Sequence, residues 1–327
     1  MYESFYGLRE NPFNVTPDPQ YIYLGQNQKE ALAHLLYGVR TKKGFIVLTG
    51  EVGTGKTTLV HYLLDKLNGK DHTRTAYLFN PKLTVNDFIE YILKDLGLDI
   101  PKGSKGDYLH ILHQNLLNAY QEGESVILIV DEAQGLNPEL LEEIRLLSNL
   151  ETSKSKLLQI ILVGQPELNK TLLEPGFRQL RQRINLHYNL LPLSEQETKE
   201  YIEKRLRIAG AKGALFSKGA IKEIYLKSKG IPRLVNILCD NSLLNGFASE
   251  QKLVDREKVR EAARDLKIRS GYRRMRFWSF LSIFISAGAL LALFFQKTGF
   301  FKGLLDHLHP VKENITDGVQ NIFNFFK

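Results

Sequence analysis

The sequence predicts an α/β fold in which a parallel five-stranded sheet is covered by helices and followed by a smaller helical domain. Apolar, β-branched runs alternate with stretches of helical spacing, which is typical of a parallel sheet buried on both faces. A glycine-rich stretch directly follows the first run, so residues 1–193 are predicted to form a nucleotide-binding core. The predicted strands cover residues 45–50, 75–80, 125–133, 157–165 and 184–193.

The strand pattern ends at Ser194, where helical patterns begin. The first helical segment, SEQETKEYIEKRLRIAG, opens with a capping box between Ser194 and Glu197. Further helical segments begin at Ser217, Pro232 and Val254. Residues 194–268 are therefore predicted to form the helical domain.

The positive charge of the chain is concentrated in one region. The net charge is +8, and residues Arg256 to Arg276 alone contribute a net charge of +6. Such a cluster is attracted to anionic lipid headgroups, so we expect membrane lipids rather than nucleic acid as its partner. The single cysteine, Cys239, excludes an internal disulfide framework and cysteine-rich zinc sites.

An apolar segment follows this basic region. Residues 277–295 contain no charge and would form a helix of about 29 Å, close to the thickness of a bilayer's hydrocarbon core. The segment is apolar on every face, which favours a transmembrane helix over a buried core helix. The basic juxtamembrane residues 269–276 predict that the N-terminal domains face the cytoplasm, and the start MYESFYGLRENPF lacks the features of a signal peptide.

The last residues, 296–327, are predicted to form a short non-cytoplasmic tail. Apolar residues recur at helical spacing on both sides of Pro310, which indicates two short amphipathic helices. Such helices lie on a membrane surface or pair with a partner, and the sequence leaves the role of the tail open.

The glycine-rich stretch GEVGTGKTT matches the pattern of a phosphate-binding loop between a strand and a helix. Its glycines let the backbone N–H groups point at phosphates, Lys56 reaches the β and γ oxygens, and the Thr57 hydroxyl can ligate Mg²⁺. The sequence therefore predicts ATP and Mg²⁺ as cofactors. The loop consists of Gly50, Glu51, Val52, Gly53, Thr54, Gly55, Lys56, Thr57 and Thr58.

A pair of carboxylates follows the third predicted strand. Asp131 is expected to hold Mg²⁺ through water, and Glu132 to orient or deprotonate the attacking water. An acidic pair after a strand can also be a solvated turn, but a Glu beside the Asp favours hydrolysis over binding alone.

Four further side chains are candidates for the same site. Gln165 ends the fourth predicted strand, where a γ-phosphate would lie. Arg181 and Arg183 precede the fifth strand and would reach the nucleotide of a neighbouring subunit, and Arg233 would reach its own nucleotide when the helical domain closes. Surface arginines often only solvate a helix, which is the alternative for these three.

The N-terminal arm, residues 1–24, is rich in aromatic residues without clear periodicity. We expect it to pack over the core near the adenine pocket, or to cover the edge of the sheet.

These motifs together resemble the AAA+ ATPases of the general secretion pathway protein A family and the related pilus-biogenesis and exopolysaccharide-associated ATPases. The resemblance covers about residues 1–265. The segments that carry it are MYESFYGLRENPFNVTPDPQYIYL, EALAHLLYG, GFIVLTGEVGTGKTT, LIVDEAQ, EEIRLLSNLET, QIILVGQPEL, RQLRQRI and GIPRLVNILCD.

The resemblance implies a P-loop AAA+ core with a helical lid domain, and hydrolysis coupled to assembly of an envelope complex. We also expect a ring-like homo-oligomer, and the predicted span places the chain in the bacterial inner membrane. It implies a sensor-1 role for Gln165, a finger role for Arg181 or Arg183, and a sensor-2 role for Arg233. Gln165 departs from the Asn that is commonest at its position. Full-length secretion members carry a periplasmic peptidoglycan-binding region, and the tail 296–327 is too short for one.

Three functions remain open from the sequence. The first is a membrane-anchored ATPase that drives or regulates assembly of a secretion, pilus or polysaccharide-export complex. The second is a nucleotide-dependent scaffold or switch with little turnover, for which tight ATP binding without hydrolysis would speak. The third is a nucleic-acid adaptor ATPase of the transposition type, which salt-dependent DNA retention would favour.

Overall fold

The computed structural model describes residues 1–16, 18–67, 72–79 and 82–268. Among these, five strands form one fully parallel sheet in the order β2-β3-β4-β1-β5, which confirms the predicted sheet. The central strands read as continuous apolar runs because helices cover both of their faces. The strands are β1 (Phe45–Gly50), β2 (Thr73–Leu78), β3 (Ser125–Val130), β4 (Leu158–Gly164) and β5 (Leu186–Leu190).

Helices cover both faces of the sheet and then form a separate group after β5. In the described part of the chain they are α1 (Tyr2–Tyr6), α2 (Gln26–Arg40), α3 (Lys56–Leu67), α4 (Val85–Asp95), α5 (Lys105–Gln121), α6 (Pro138–Leu147), α7 (Pro166–Leu173), α8 (Arg178–Arg183), α9 (Glu195–Ile208), α10 (Lys218–Ser228), α11 (Pro232–Ala248) and α12 (Arg256–Asp265).

Local sequence explains where the helices of the second group begin. The Ser194 side chain accepts from the backbone of Glu197, whose carboxylate in turn accepts from the Ser194 backbone, so the predicted capping box is confirmed. The side chains of Ser217 and Asp255 cap α10 and α12. Helix α11 begins with Pro232, and proline is tolerated there because the N–H at the first helical position has no hydrogen-bond partner within the helix.

Alternate residues of the strands face opposite layers of the core. Phe45 and Val47 pack in one apolar cluster with α4, α5 and α6, and Ile46 and Leu48 pack in another with α2 and α3. This period of two follows from strand geometry. Because all five strands are parallel, their carboxyl ends lie at one edge of the sheet, where ligands bind in open α/β sheets.

The N-terminal arm packs in two parts: residues after Phe13 lie at the cavity beside the phosphate loop, as predicted, whereas the earlier aromatic residues pack elsewhere. Tyr2, Tyr6 and Phe13 are buried in the apolar cluster of the helical domain and not against the sheet. The Tyr6 hydroxyl lies 3.1 Å from the carbonyl oxygens of Leu243 and Gln251, and either oxygen can accept its single proton. A domain this small has little core of its own, so the aromatic side chains of the arm complete it. Only residues after Phe13 approach the nucleotide site.

Within the described residues, no helix is both long and apolar enough to cross a membrane. The predicted basic segment 269–276, transmembrane helix 277–295 and tail 296–327 lie outside the described residues.

Candidate nucleotide site

The phosphate loop connects the buried end of β1 to the first turn of α3. Gly53 and Gly55 have φ angles of 81° and 95°, a region that glycine occupies without steric cost. A Cβ on Gly53 would also lie 2.8 Å from the Cβ of Arg233, which is too close for a side chain. The loop therefore depends on glycine both for its curl and for the approach of the helical domain.

Lys56 lies inside this loop with 6% of its surface exposed. Its Nζ donates to the carbonyl oxygens of Gly50 at 2.8 Å and Glu51 at 3.0 Å. Burial lowers the pKa of Lys56, and the nearby carboxylates of Glu132 and Asp131 act in the opposite direction. A buried ammonium held only by neutral carbonyls is well placed to exchange them for phosphate oxygens.

Asp131 lies directly after β3, with 4% of its surface exposed. Its Oδ2 accepts hydrogen bonds from the Thr57 hydroxyl at 2.7 Å and the Tyr77 hydroxyl at 2.9 Å, and its Oδ1 accepts from the Glu132 N–H at 2.8 Å. A carboxylate and a hydroxyl in contact are hard oxygen ligands of the kind that Mg²⁺ takes alongside phosphate oxygens. Thr57 and Asp131 therefore fit the metal that the sequence predicts.

Glu132 adopts a left-handed backbone conformation, with φ 50° and ψ 36°. This conformation is uncommon for a residue other than glycine, although turns and helix ends of this chain, such as Lys42 and Lys229, adopt it as well. The Glu132 Oε2 accepts from the Gln134 Nε2 at 2.5 Å and from the Gln165 Nε2 at 3.1 Å. The carboxylate is thus held by two neutral amides, which orient it without neutralising its charge.

Gln165 follows β4 at the carboxyl edge of the sheet. Besides its contact with Glu132, its backbone N–H donates to the Gln134 Oε1 at 2.9 Å. Gln134, Gln165 and Glu132 therefore form a closed set of hydrogen bonds between the ends of β3 and β4. The amide of Gln165 reaches the carboxylate that the sequence assigns to water activation.

Arg233 lies in the first turn of α11, and its backbone N–H donates to the Gly53 carbonyl oxygen at 3.3 Å. Three residues earlier, Gly230 has a φ of 73°, and a Cβ there would lie 1.8 Å from the Leu193 carbonyl oxygen. The Leu193 N–H donates to the Gly230 carbonyl at 2.9 Å. This close contact between the end of the core and the helical domain positions Arg233 beside the phosphate loop.

A cavity of about 420 Å³ brings most of the predicted site residues together. Gly50, Glu51 and Asp131 contact this group through Lys56 and Thr57. The predicted residues that line the cavity are Val52, Gly53, Thr54, Gly55, Lys56, Thr57, Thr58, Glu132, Gln165 and Arg233.

Arg181 and Arg183 do not line this cavity. They lie in α8, just before the amino end of β5, whereas the phosphate loop follows the carboxyl end of the parallel strand β1. The Arg181 Nη1 donates to the Leu173 carbonyl oxygen at 3.3 Å. Both arginines therefore lie near the amino ends of the strands, whereas the nucleotide site of their own chain lies at the carboxyl ends.

The N-terminal arm forms the wall of the cavity opposite the phosphate loop. Asn14 and Tyr21 line it together with Tyr201 and Arg205 of α9. The Arg205 guanidinium donates to the carbonyl oxygens of Pro12 at 2.5 Å and Asn14 at 3.3 Å, and to the Tyr201 hydroxyl at 2.9 Å. Arg205 thereby fixes the arm to the helical domain at the rim of the site.

The predicted sites omitted Tyr77, Gln134 and Arg205. The motif LIVDEAQ contains Gln134, so its spacing after Glu132 is a signal present in the sequence. Tyr77 and Arg205 act through pairings of distant segments that the sequence does not record. Within the described residues, no group of three or more His, Cys, Asp or Glu side chains could hold a metal by itself.

Comparison with known proteins decides the family. The AAA domain family matches residues 39–172. General secretion pathway protein A of Aeromonas hydrophila is 42% identical over 292 residues, which cover 89% of this chain and 52% of that protein. The chain belongs to the AAA+ family and is related to general secretion pathway protein A. This AAA+ protein spans about half the length of that relative.

Solved structures share the fold of this AAA+ protein. Cdc6p from Pyrobaculum aerophilum has a TM-score of 0.60 at 18% identity, covering 78% of this chain and 70% of that one. The Drosophila ORC bound to DNA has a TM-score of 0.61 at 16% identity, covering 84% of this chain and 68% of that one. At this level of identity the likeness establishes the fold alone.

Proposed function

We propose that this AAA+ protein binds ATP with Mg²⁺ and hydrolyses the bond between its β- and γ-phosphates, which gives ADP and phosphate. The observation that carries the proposal is the Glu132 carboxylate, oriented by Gln134 and Gln165 and lining the same cavity as Lys56. An oriented carboxylate beside the phosphate-binding lysine supports hydrolysis over binding alone.

The phosphate loop and its neighbours would bind the nucleotide. Backbone N–H groups around Gly53 and Gly55 would surround the phosphates, and Lys56 would pair with the β and γ oxygens. Thr57 and Asp131 would hold Mg²⁺, which supplies Lewis-acid polarisation of the phosphate oxygens.

Glu132 would accept a proton from the attacking water while the amide of Gln165 keeps the carboxylate in place. General-base catalysis of this kind contributes about 10²- to 10⁴-fold to a rate. Arg233 would bring positive charge to the phosphates from the helical domain, and the charge that develops in phosphoryl transfer is stabilised in this way.

Two substitutions separate binding from hydrolysis. Lys56→Ala should abolish ATP binding because it removes the charge that meets the phosphates. Glu132→Gln should retain binding and lower turnover by at least about 100-fold, since it removes only the proton acceptor. The measurements are equilibrium binding of a fluorescent ATP analogue and steady-state release of phosphate.

Glu139→Gln is the matched control, since Glu139 is exposed seven residues further along and should turn over normally. Equal loss of binding in the Lys56 and Glu132 variants would contradict the division of roles. Tight binding by the wild-type chain with no turnover would identify a nucleotide-dependent switch instead.

The position of Arg181 and Arg183 supports a ring-like homo-oligomer. Because both lie at the edge of the sheet opposite their own nucleotide site, either would act as a finger only on a neighbouring subunit. We propose that one of them completes the site of the next chain, as the resemblance to AAA+ ATPases implies.

The relation to general secretion pathway protein A supports a role at the cell envelope. We propose that the ATPase is anchored in the bacterial inner membrane by residues 277–295 with its N-terminal domains in the cytoplasm. There it would couple ATP turnover to assembly or regulation of a secretion, pilus or polysaccharide-export complex.

A further inference from the structure

Asp131, the proposed Mg²⁺ residue, has an unusual third partner. The Tyr77 hydroxyl donates to its Oδ2 at 2.9 Å, the same oxygen that accepts from Thr57 at 2.7 Å. Tyr77 belongs to β2, which pairs with β3 in a register that sets Tyr77 opposite Ile129 and Leu78 opposite Val130. The sheet itself therefore brings the tyrosine next to the residue that follows β3.

The Tyr77 side chain is fixed independently of this hydrogen bond. Its ring stacks on His61 of α3 with a centroid distance of 5.2 Å and an interplanar angle of 14°. Its backbone N–H donates to the Asp95 Oδ2 at 2.6 Å, and its carbonyl accepts from the Tyr91 hydroxyl at 3.2 Å. The position of the hydroxyl is thus determined by the strand and by the helix that follows the phosphate loop.

The hydrogen bonds around Asp131 limit how it can receive a hydrated metal ion. A carboxylate has about four acceptor positions, two on each oxygen. Thr57 and Tyr77 fill both positions on Oδ2, and the Glu132 N–H fills one on Oδ1. Among the donors of the described residues, the Glu132 N–H is the one on Oδ1, so a second position on Oδ1 would accept from a water bound to Mg²⁺.

We propose that Tyr77 is a positioning residue for the metal site. Its hydroxyl would hold the Asp131 carboxylate in one orientation and leave it one acceptor position for a hydrated Mg²⁺. This inference rests on the proposed ATP-Mg²⁺ function. Groups that orient the ligands of a metal typically change metal affinity by about 10- to 100-fold when they are removed. Tyr77 does not contact nucleotide in this scheme and acts only through Asp131.

The test is a MgCl₂ titration of the full-length protein bound to a fluorescent, non-hydrolysable ATP analogue. Tyr77→Phe removes the hydroxyl and retains the ring that stacks on His61. We expect the half-saturating Mg²⁺ concentration to rise about tenfold, with analogue affinity in EDTA unchanged. Tyr188→Phe is the matched control, because it removes a hydroxyl that contacts Asn27 and Glu30 and neither Tyr77 nor Asp131, and it should titrate like the wild type.

Each alternative result overturns the inference in a recognisable way. An unshifted Mg²⁺ titration in Tyr77→Phe, with a normal wild type, overturns the role of Tyr77 alone. Equal weakening of analogue binding in EDTA and in Mg²⁺ shows a purely structural role. A wild-type chain whose binding ignores Mg²⁺ overturns the proposed function, and the role of Tyr77 with it.

Discussion

Replacing Arg205 with alanine should destabilise the helical domain and release the N-terminal arm. The Arg205 side chain is buried, with 7% of its surface exposed, and within the described part of the chain it forms no ion pair with a carboxylate. Its guanidinium instead holds two carbonyl oxygens of the arm and lies 4.6 Å from the centroid of the Tyr21 ring. Its loss leaves the buried Pro12 carbonyl without this donor, whereas the exposed Asn14 carbonyl still accepts from the Asn236 side chain at 3.4 Å.

The magnitude follows from these contacts. A hydrogen bond to a charged group contributes about 1.5–3 kcal/mol, and a partly buried cation–π contact about 1 kcal/mol. The 2.5 Å and 2.9 Å bonds to Pro12 and Tyr201 are the short ones. Truncation also removes the cost of burying a guanidinium without a counterion, so we expect a net loss of about 2–3 kcal/mol in the free energy of unfolding.

Urea unfolding measures this loss, and limited proteolysis reports the freed arm. Arg207→Ala is the control, since Arg207 is exposed two residues along the same helix and should change stability by less than about 0.5 kcal/mol. A loss below about 1 kcal/mol for Arg205→Ala, or an arm that stays protected from protease, would refute the reasoning.

Two further predictions concern assembly and the membrane. Mixing Arg181→Ala/Arg183→Ala protein with Lys56→Ala protein should restore part of the ATPase activity, because intact sites and intact fingers meet at shared interfaces; no rescue in demonstrated mixed oligomers would exclude a finger in trans. Deleting residues 277–327 should give a soluble protein that still hydrolyses ATP but no longer supports its envelope process, and a cysteine at Asn324 should react with an impermeant reagent outside the cell. The native Cys239 is buried and serves as the unlabelled background, so labelling only after lysis would contradict the predicted topology.

The sheet was predictable because its central strands are buried on both faces and their sequences are therefore continuous apolar runs. Phe45–Gly50 is buried at every position, and the prediction for 45–50 is correct at both ends. The central strand β3 ends at Val130, three residues before its predicted end at 133, and both edge strands also differ from their predicted bounds. β2 begins at Thr73 rather than at residue 75, and β5 covers Leu186–Leu190 rather than 184–193, since a strand paired on one side tolerates polar residues and carries a weaker pattern.

The phosphate loop and the Asp131–Glu132 pair could be identified because their chemistry depends on local spacing. Tyr77 could not, because the sequence does not state that β2 lies beside β3. Arg205 lies four residues after Tyr201 on the same face of α9, but a charge at that spacing gives no sign that it binds the arm. The aromatic residues of the arm indicated burial without indicating which domain buries them.

The packing of the arm has a consequence for synthesis of the chain. Tyr2 and its partner Asp240 are 238 residues apart, so Tyr2 is synthesised long before the residue that it contacts. At a typical 5–20 residues per second, the delay is roughly 12 to 48 s. During that time the sheet can form around β1 to β5, while the aromatic side chains of the arm remain exposed to water. The aromatic side chains of the arm therefore lack their partners in the helical domain until that domain has been synthesised.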